Sequence, residues 1–327
     1  AGFSVSTGLQ STYIGGYAGY FATTPNNTTF IGFQAGKGIT GVKLTGDNNT
    51  AVGKDAGLLL QGAAANNTLI GALSGDATTT GVRNTAVGNQ SFSTNSTGDY
   101  NTALGRDALF GNTTADSNTG VGYGSLYTNA EGTANVAVGY NALDANTVSN
   151  NTAVGYDSLG SNTTGTGNTA VGKDAGEFAT TADASTFIGF QAGQGITGVK
   201  LTGNDNTAVG ASAGLLLQGT ATQNTLIGAL AGDALTTGSD NTVVGKSALS
   251  AGAASFYNTA IGHNALAADT TGRLSVAVGR NALAAQDNTS SANMYNTAVG
   301  SGAGEALSIG TKNTFIGALS GDAIVTG

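Results

Sequence analysis

The chain has 327 residues, 54 of them glycine, a net charge of -8 with only 11 Lys and Arg, and 9% charged residues overall. It has no cysteine, which excludes a disulfide framework, thiol chemistry and Cys-based metal sites. The acidic balance without a basic cluster argues against capture of nucleic acid or of an anionic membrane. A 39% apolar content at regular spacing is not that of a disordered chain, the single Pro25 excludes collagen, and no apolar run nears the ~18 residues of a membrane-spanning helix.

Taken in order, residues 1–10 fall outside any pattern and read as an N-terminal cap or run-in. Ala1-Gly2-Phe3-Ser4 has neither the charged nor the apolar region of a signal peptide. From Ser11 to Gly327 a pentapeptide of the form Asn151-Thr152-Ala153-Val154-Gly155 returns about every seventeen residues, with eighteen anchor glycines from Gly15 to Gly317. A short fixed period over a whole chain is the signature of a repeat architecture.

Columns within the repeat carry the structural reading. Three residues before the glycine stands Thr in sixteen of eighteen copies, with Val136 and Val276 the exceptions, and one before it always Ile, Val or Leu. In a strand these share a face, and an aliphatic column without exception reads as core. The other face carries Asn in fourteen copies, four before the glycine, and Ala in ten, two before it. Stacked asparagines predict an amide ladder at the start of the strand. The small residues beside them predict an outward face covered by another chain, hence a parallel homotrimer. On this reading Val154→Asp opens the coil, whereas Ala153→Glu leaves it folded and breaks the assembly.

After each glycine, the third residue is always Ala or Ser and the fourth is Gly or Leu, except Phe92. This predicts a tight corner, followed by a polar return loop of six to ten residues. Three spacings of 21 place extra residues on loops at 37–47, 194–204 and 284–294. Gly38–Leu44 and Gly195–Leu201 are identical stretches 157 residues apart, so the chain carries a super-repeat of nine coils. The last anchor, Gly317, precedes Gly327 by ten residues, so the chain stops part-way through a coil, which a partner or further sequence is expected to cover.

The fold class that follows is all-β: a parallel β-solenoid, a left-handed β-roll or β-helix, of about 18 coils with about 17 residues each. At about 4.8 Å per coil this predicts a rod on the order of 85 Å. Asn135-Val136-Ala137-Val138-Gly139 and Ser275-Val276-Ala277-Val278-Gly279 resemble the head repeats of trimeric autotransporter adhesins, the YadA-like left-handed parallel β-rolls. Asn151–Ser158 and Asn258–Ala265 are similar, as are repeats of bacteriophage tail fibres. The resemblance covers residues 11–327 and implies a trimeric surface fibre. The period here is longer than the family's, and neither a coiled-coil stalk nor a membrane anchor is expected within residues 1–327.

No constellation of catalytic, cofactor-binding or metal-ligating residues emerges, so none of these sites is expected, and the chain is expected not to be an enzyme. His263, the only histidine, sits at a tolerant position just after an anchor glycine and reads as surface. Asp76, Asp233 and Asp322 share a Gly-Asp-Ala pattern in separate coils and read as turn caps rather than calcium ligands. Lys54-Asp55, Arg106-Asp107 and Lys173-Asp174 read as solvated corner pairs of little weight. Gly36-Lys37-Gly38 lacks the spacing of a phosphate loop. Asn-x-Ser/Thr sites such as Asn27 and Asn162 follow from composition. Ice binding by a threonine array is disfavoured because Thr shares the face assigned to the core. The expected function is an extracellular structural and adhesive fibre at a cell surface, presenting loops for attachment. The alternatives are a phage tail-fibre segment on a virion, or a filament subunit in which Gly327 abuts Ala1 of the next copy. The chain's own copies are the expected partners, with no nucleic acid and no membrane insertion.

Overall fold

The structure is a computed structural model that describes residues 1–287 and 292–326. It divides into two compact units, Ala1–Asp157 and Ser158–Gly327. In the first unit the strands are β1 Thr12–Ile14, β2 Thr29–Ile31, β3 Thr50–Val52, β4 Thr68–Ile70, β5 Thr85–Val87, β6 Thr102–Leu104, β7 Thr119–Val121, β8 Val136–Val138 and β9 Thr152–Val154. In the second they are β10 Thr169–Val171, β11 Thr186–Ile188, β12 Thr207–Val209, β13 Thr225–Ile227, β14 Thr242–Val244, β15 Thr259–Ile261, β16 Val276–Val278, β17 Thr297–Val299 and β18 Thr314–Ile316. Within each unit every strand pairs in parallel with the next, and the register sets like on like, as in Thr85↔Thr102, Ala86↔Ala103 and Val87↔Leu104. Each unit is a parallel β-solenoid with one three-residue strand per turn of about seventeen residues, and there is no helix among the described residues.

The anchor glycines are required twice over. Their φ angles lie between +117° and +144°, beyond the left-handed region that other residues occupy. A Cβ on Gly105 would also stand 2.5 Å from the Gly122 carbonyl oxygen of the next coil. Backbones meet here with no room for a side chain. Three further corners per coil are left-handed: the residue before the Asn position, and the second and fourth residues after the glycine. Side chains are tolerated there, as at Asp107 (φ +58°) and Leu109 (φ +51°), at a cost of about 1 kcal/mol each.

The strand faces are the reverse of the sequence expectation. The central residue of each strand points inward: Phe30, Ala51, Leu69, Ala86 and Ala153 are all 0% exposed. The flanking Thr and aliphatic residues point outward, with Ile70 38% and Leu104 47% exposed. The alanine column is therefore core and cannot be the interface from which a trimer is expected. The aliphatic column keeps part of its area from water by stacking on itself. Ile14, in the outermost strand β1, rises to 57%, so covering by adjacent coils is what holds the others down.

Size matching fills the interior. Where the inward strand residue is large, the fourth residue after the glycine is Gly: a Cβ at Gly36 would lie 2.5 Å from the Phe30 ring and one at Gly75 2.7 Å from Leu69. Where the strand residue is Ala, a buried leucine often takes that corner, as Ala137 with Leu143 and Ala260 with Leu266. The invariant Ala or Ser between them lies against this packing. Close packing of this kind penalises both added and removed methylenes.

The asparagine column is buried and does more than form a ladder. Asn67 Oδ1 accepts the backbone N–H of Asn84 at 3.0 Å, while Asn67 Nδ2 donates to the Gly81 carbonyl at 2.8 Å. Asn84, Asn101 and Asn118 repeat both bonds, and in the second unit Asn206, Asn224 and Asn241 do so too. Each side chain thus clamps two backbone groups of the following coil. Ser185 holds the place with one bond, its Oγ accepting from Asn206 N at 3.2 Å.

The polar return is not simply a loop. Seven residues after the glycine a second inward column holds Asn95, Asn112, Asn129 and Asn146, all fully buried. Asn112 Nδ2 donates to Asn95 Oδ1 at 3.0 Å, and Asn146 Nδ2 to Asn129 Oδ1 at 3.3 Å. In the second unit Leu217, Leu235 and Leu307 occupy it, together with an Asp269–Gln286 pair at 3.1 Å. Residues 2–7 lie on the first coil with the same bonding pattern: Gly2 N donates to Ala18 O at 2.8 Å, as Gly19 N does to Ala35 O at 3.0 Å.

Two expected outcomes follow, both read by urea or thermal unfolding. Asn67→Ala leaves the Asn84 N–H and the Gly81 carbonyl without partners and costs about 2–6 kcal/mol, at about 1–3 kcal/mol per buried group. Ala153→Glu drives a carboxylate into the core and costs on the order of 4 kcal/mol or more, whereas Val154→Asp leaves the fold of the single chain within about 1 kcal/mol. Equal losses for the last pair contradict the inward assignment of Ala153.

Candidate interaction surface

Because Asn and the strand centre face inward, period 2 sends the other two strand residues outward. Each unit therefore presents a row of nine aliphatic side chains beside a row of Thr or Val, in register from coil to coil. Outward Thr removes the objection raised against ice binding, since threonine does not share a face with the core.

The residue after each anchor glycine turns onto an adjoining side. Tyr123, Tyr140 and Tyr156 stack there with ring centroids 5.1 and 5.0 Å apart and planes within 15° and 7°. The Arg106 guanidinium caps the stack 5.9 Å from the Tyr123 ring. These spacings equal the coil repeat, so the rings lie face to face along the stack and offer their edges to solvent. Lys173 similarly lies 5.6 Å from the Phe190 ring. His263 occupies this column and is exposed.

The corner pairs are less symmetric than the sequence suggests. Lys54–Asp55, Arg106–Asp107 and Lys173–Asp174 close at 3.6, 3.2 and 3.0 Å. The cations are exposed but the carboxylates are largely buried at left-handed corners. Asp76 accepts a 2.6 Å bond from Ser93 Oγ of the next coil; burial raises its carboxyl above the usual value, and the Ser93 bond partly offsets this. Asp233 is raised by burial as well, while Asp322 is exposed. No three His, Asp or Glu side chains come together to hold a metal among the described residues.

The inserted loops have defined form. Ile39 and Val42 make an antiparallel bridge around Gly41, after which Leu44 returns to the core and bridges Ala22 and Gly62. Ile196, Val199 and Leu201 repeat this in the second unit. Of the loop at 284–294, residues 288–291 lie outside the described residues, as does Gly327. No helix is long and apolar enough to cross a membrane among the described residues. No protein-family model matches the chain, and neither does any curated protein.

Asp144 yields a pH prediction. Burial, with a smaller push from the Asp157 charge and against a bond from Ala145 N, moves its carboxyl up to about 6. The folded value lies above the unfolded one, near 4. Its contribution to stability is therefore full below about pH 4 and is lost as pH rises through about 6. Asp144→Asn is expected to raise the unfolding temperature at pH 7 and leave it unchanged at about pH 3.5, below both values, as read by circular dichroism melts.

Proposed function

We propose that the chain is a segment of an extracellular structural and adhesive fibre, on a cell surface or a virion, in which copies pack through the outward strand face as a homotrimer. The observation that carries this reading is the unbroken outward aliphatic row. Exposed stripes of this extent mark contact surfaces. Nine strands at about 4.8 Å by three residues at about 3.3 Å give roughly 400 Å² per unit. Each chain has two such faces, about 800 Å² in all, which a homotrimer shares between two neighbours. The repeat motifs that resemble adhesin heads and phage fibres support the same assignment. Identical residues one coil apart suit lateral packing of copies in register.

Sedimentation equilibrium tests the proposal. A homotrimer is expected for the chain, and Val87→Lys, Leu104→Lys and Val121→Lys together are expected to yield monomer with the β spectrum unchanged. A monomeric parent chain contradicts it.

A second reading draws on the outward Thr rows. Regular hydroxyl and methyl groups one coil apart on a β-face can order water, which would make the same surface ice-binding. Thermal hysteresis of the purified chain separates the two readings: a gap no larger than the experimental floor leaves only the fibre.

A further inference from the structure

The first inserted hairpin roofs an open cleft of about 460 Å³ on the side of the first unit, a volume within the range of small-molecule sites. Its walls are Tyr17 and Tyr20, whose rings are tilted 57° to each other at 5.5 Å. Phe21, Leu58 and Leu59 form the apolar floor, and Thr40 lies at the roof. Lys37 Nζ stands 5.9 Å from the Tyr17 ring. With its amide turned to match its neighbours, Gln34 donates to Asp55 Oδ1 at 3.0 Å and accepts from Lys37 Nζ at 3.2 Å. That arrangement pins the ammonium at the cleft, and Lys37 forms no ion pair among the described residues.

The super-repeat supplies an internal comparison. In the second unit the roof Gly195–Thr197 and the floor Phe178, Leu215 and Leu216 are the same residues. The three that differ are those with distinctive chemistry: Asp174 stands for Tyr17, Glu177 for Tyr20 and Gln194 for Lys37. Gln194 Nε2 donates to Glu177 Oε2 at 2.7 Å, so this copy closes on itself and carries negative charge. Duplicated geometry with opposite chemistry separates the scaffold, which both copies keep, from the recognition groups, which only the first has.

We propose that the cleft of the first unit binds a carboxylated saccharide. Two tilted tyrosines suit the apolar face of a pyranose ring and leave its hydroxyls to Thr40 and Gln34. In a chain of net charge -8 with few cations, one ammonium without an ion-pair partner at an aromatic cleft selects for a single negative group. The site does not depend on how copies of the chain pack.

Saturation-transfer NMR titration with α-1,4-digalacturonate and with neutral α-1,4-digalactose tests this on the full chain. The acid is expected to bind at least tenfold more tightly than the neutral sugar. Lys37→Gln installs the residue that the second unit tolerates at the same place, so the fold is kept, and it is expected to weaken acid binding at least tenfold. Tyr17→Ala, at an exposed position, is expected to do the same with an unchanged melt. Absence of acid binding, equal binding of the two sugars, or full binding by Lys37→Gln overturns the proposal.

Discussion

A buried asparagine that bonds two backbone groups of the next coil is the constraint on which the rest of the structure depends. Coils with strands of only three residues have few ladder bonds of their own. Between strands the chain turns through several left-handed corners, each leaving N–H and carbonyl groups that must find partners. Asn supplies an acceptor and a donor in one side chain, set where the coil enters its strand. Because the asparagine must face inward, strand alternation places the residue two positions on inside as well and turns Thr and Val out. Face assignment, core composition and the exposed stripe all descend from that one side chain.

The same logic explains which positions vary. Anchor glycines cannot change, because all adopt a φ that only glycine takes, and those such as Gly105 also lie against the backbone of the next coil. Inward positions vary in compensating pairs, Phe30 with Gly36 and Ala137 with Leu143, since coils share one narrow interior. Asparagine gives way to Ser11, Thr28, Ser185 or Ser275, which keep a hydroxyl acceptor. Stability in such a stack is built from each coil and its neighbours, so substitutions at partly exposed side positions, as between Lys37 and Gln194, alter surface chemistry at little structural cost. This is how a duplicated hairpin comes to roof a cationic aromatic cleft in one unit and to stand beside a self-bonded Gln194–Glu177 pair in the other.

Strand positions are legible in the sequence. The columns from Thr to the aliphatic residue mark all eighteen strands, and two of the 21-residue spacings place insertions where the hairpins sit. Facing is not legible from invariance alone. By that criterion an aliphatic column reads as core and a polar Asn as outward, although both are better judged by what the backbone needs. β-branched residues are favoured on any sheet surface where identical neighbours cover them, so invariance of Val154 reports sheet packing rather than burial. The signal that decides the matter is present: large residues such as Phe30, Leu69 and Phe187 recur only opposite a glycine four residues after the anchor. The second buried column, from Asn95 to Asn146, is hidden because Asn and Thr-rich stretches usually are loops. The aromatic cleft is invisible for another reason, as its walls come from three coils.

Absence of cysteine makes the central claim directly measurable. Ala137→Cys and Val138→Cys, adjacent positions in one strand of the first unit, can each be reacted with a maleimide under native conditions without background. The inward asparagine requires that a thiol at position 137 be protected until the protein unfolds. It requires equally that a thiol at position 138, half-exposed in the single chain, react without unfolding and far faster than one at 137 once lysines in the outward row keep the chain monomeric. Rapid labelling at 137 with protection at 138 would contradict the account at its root.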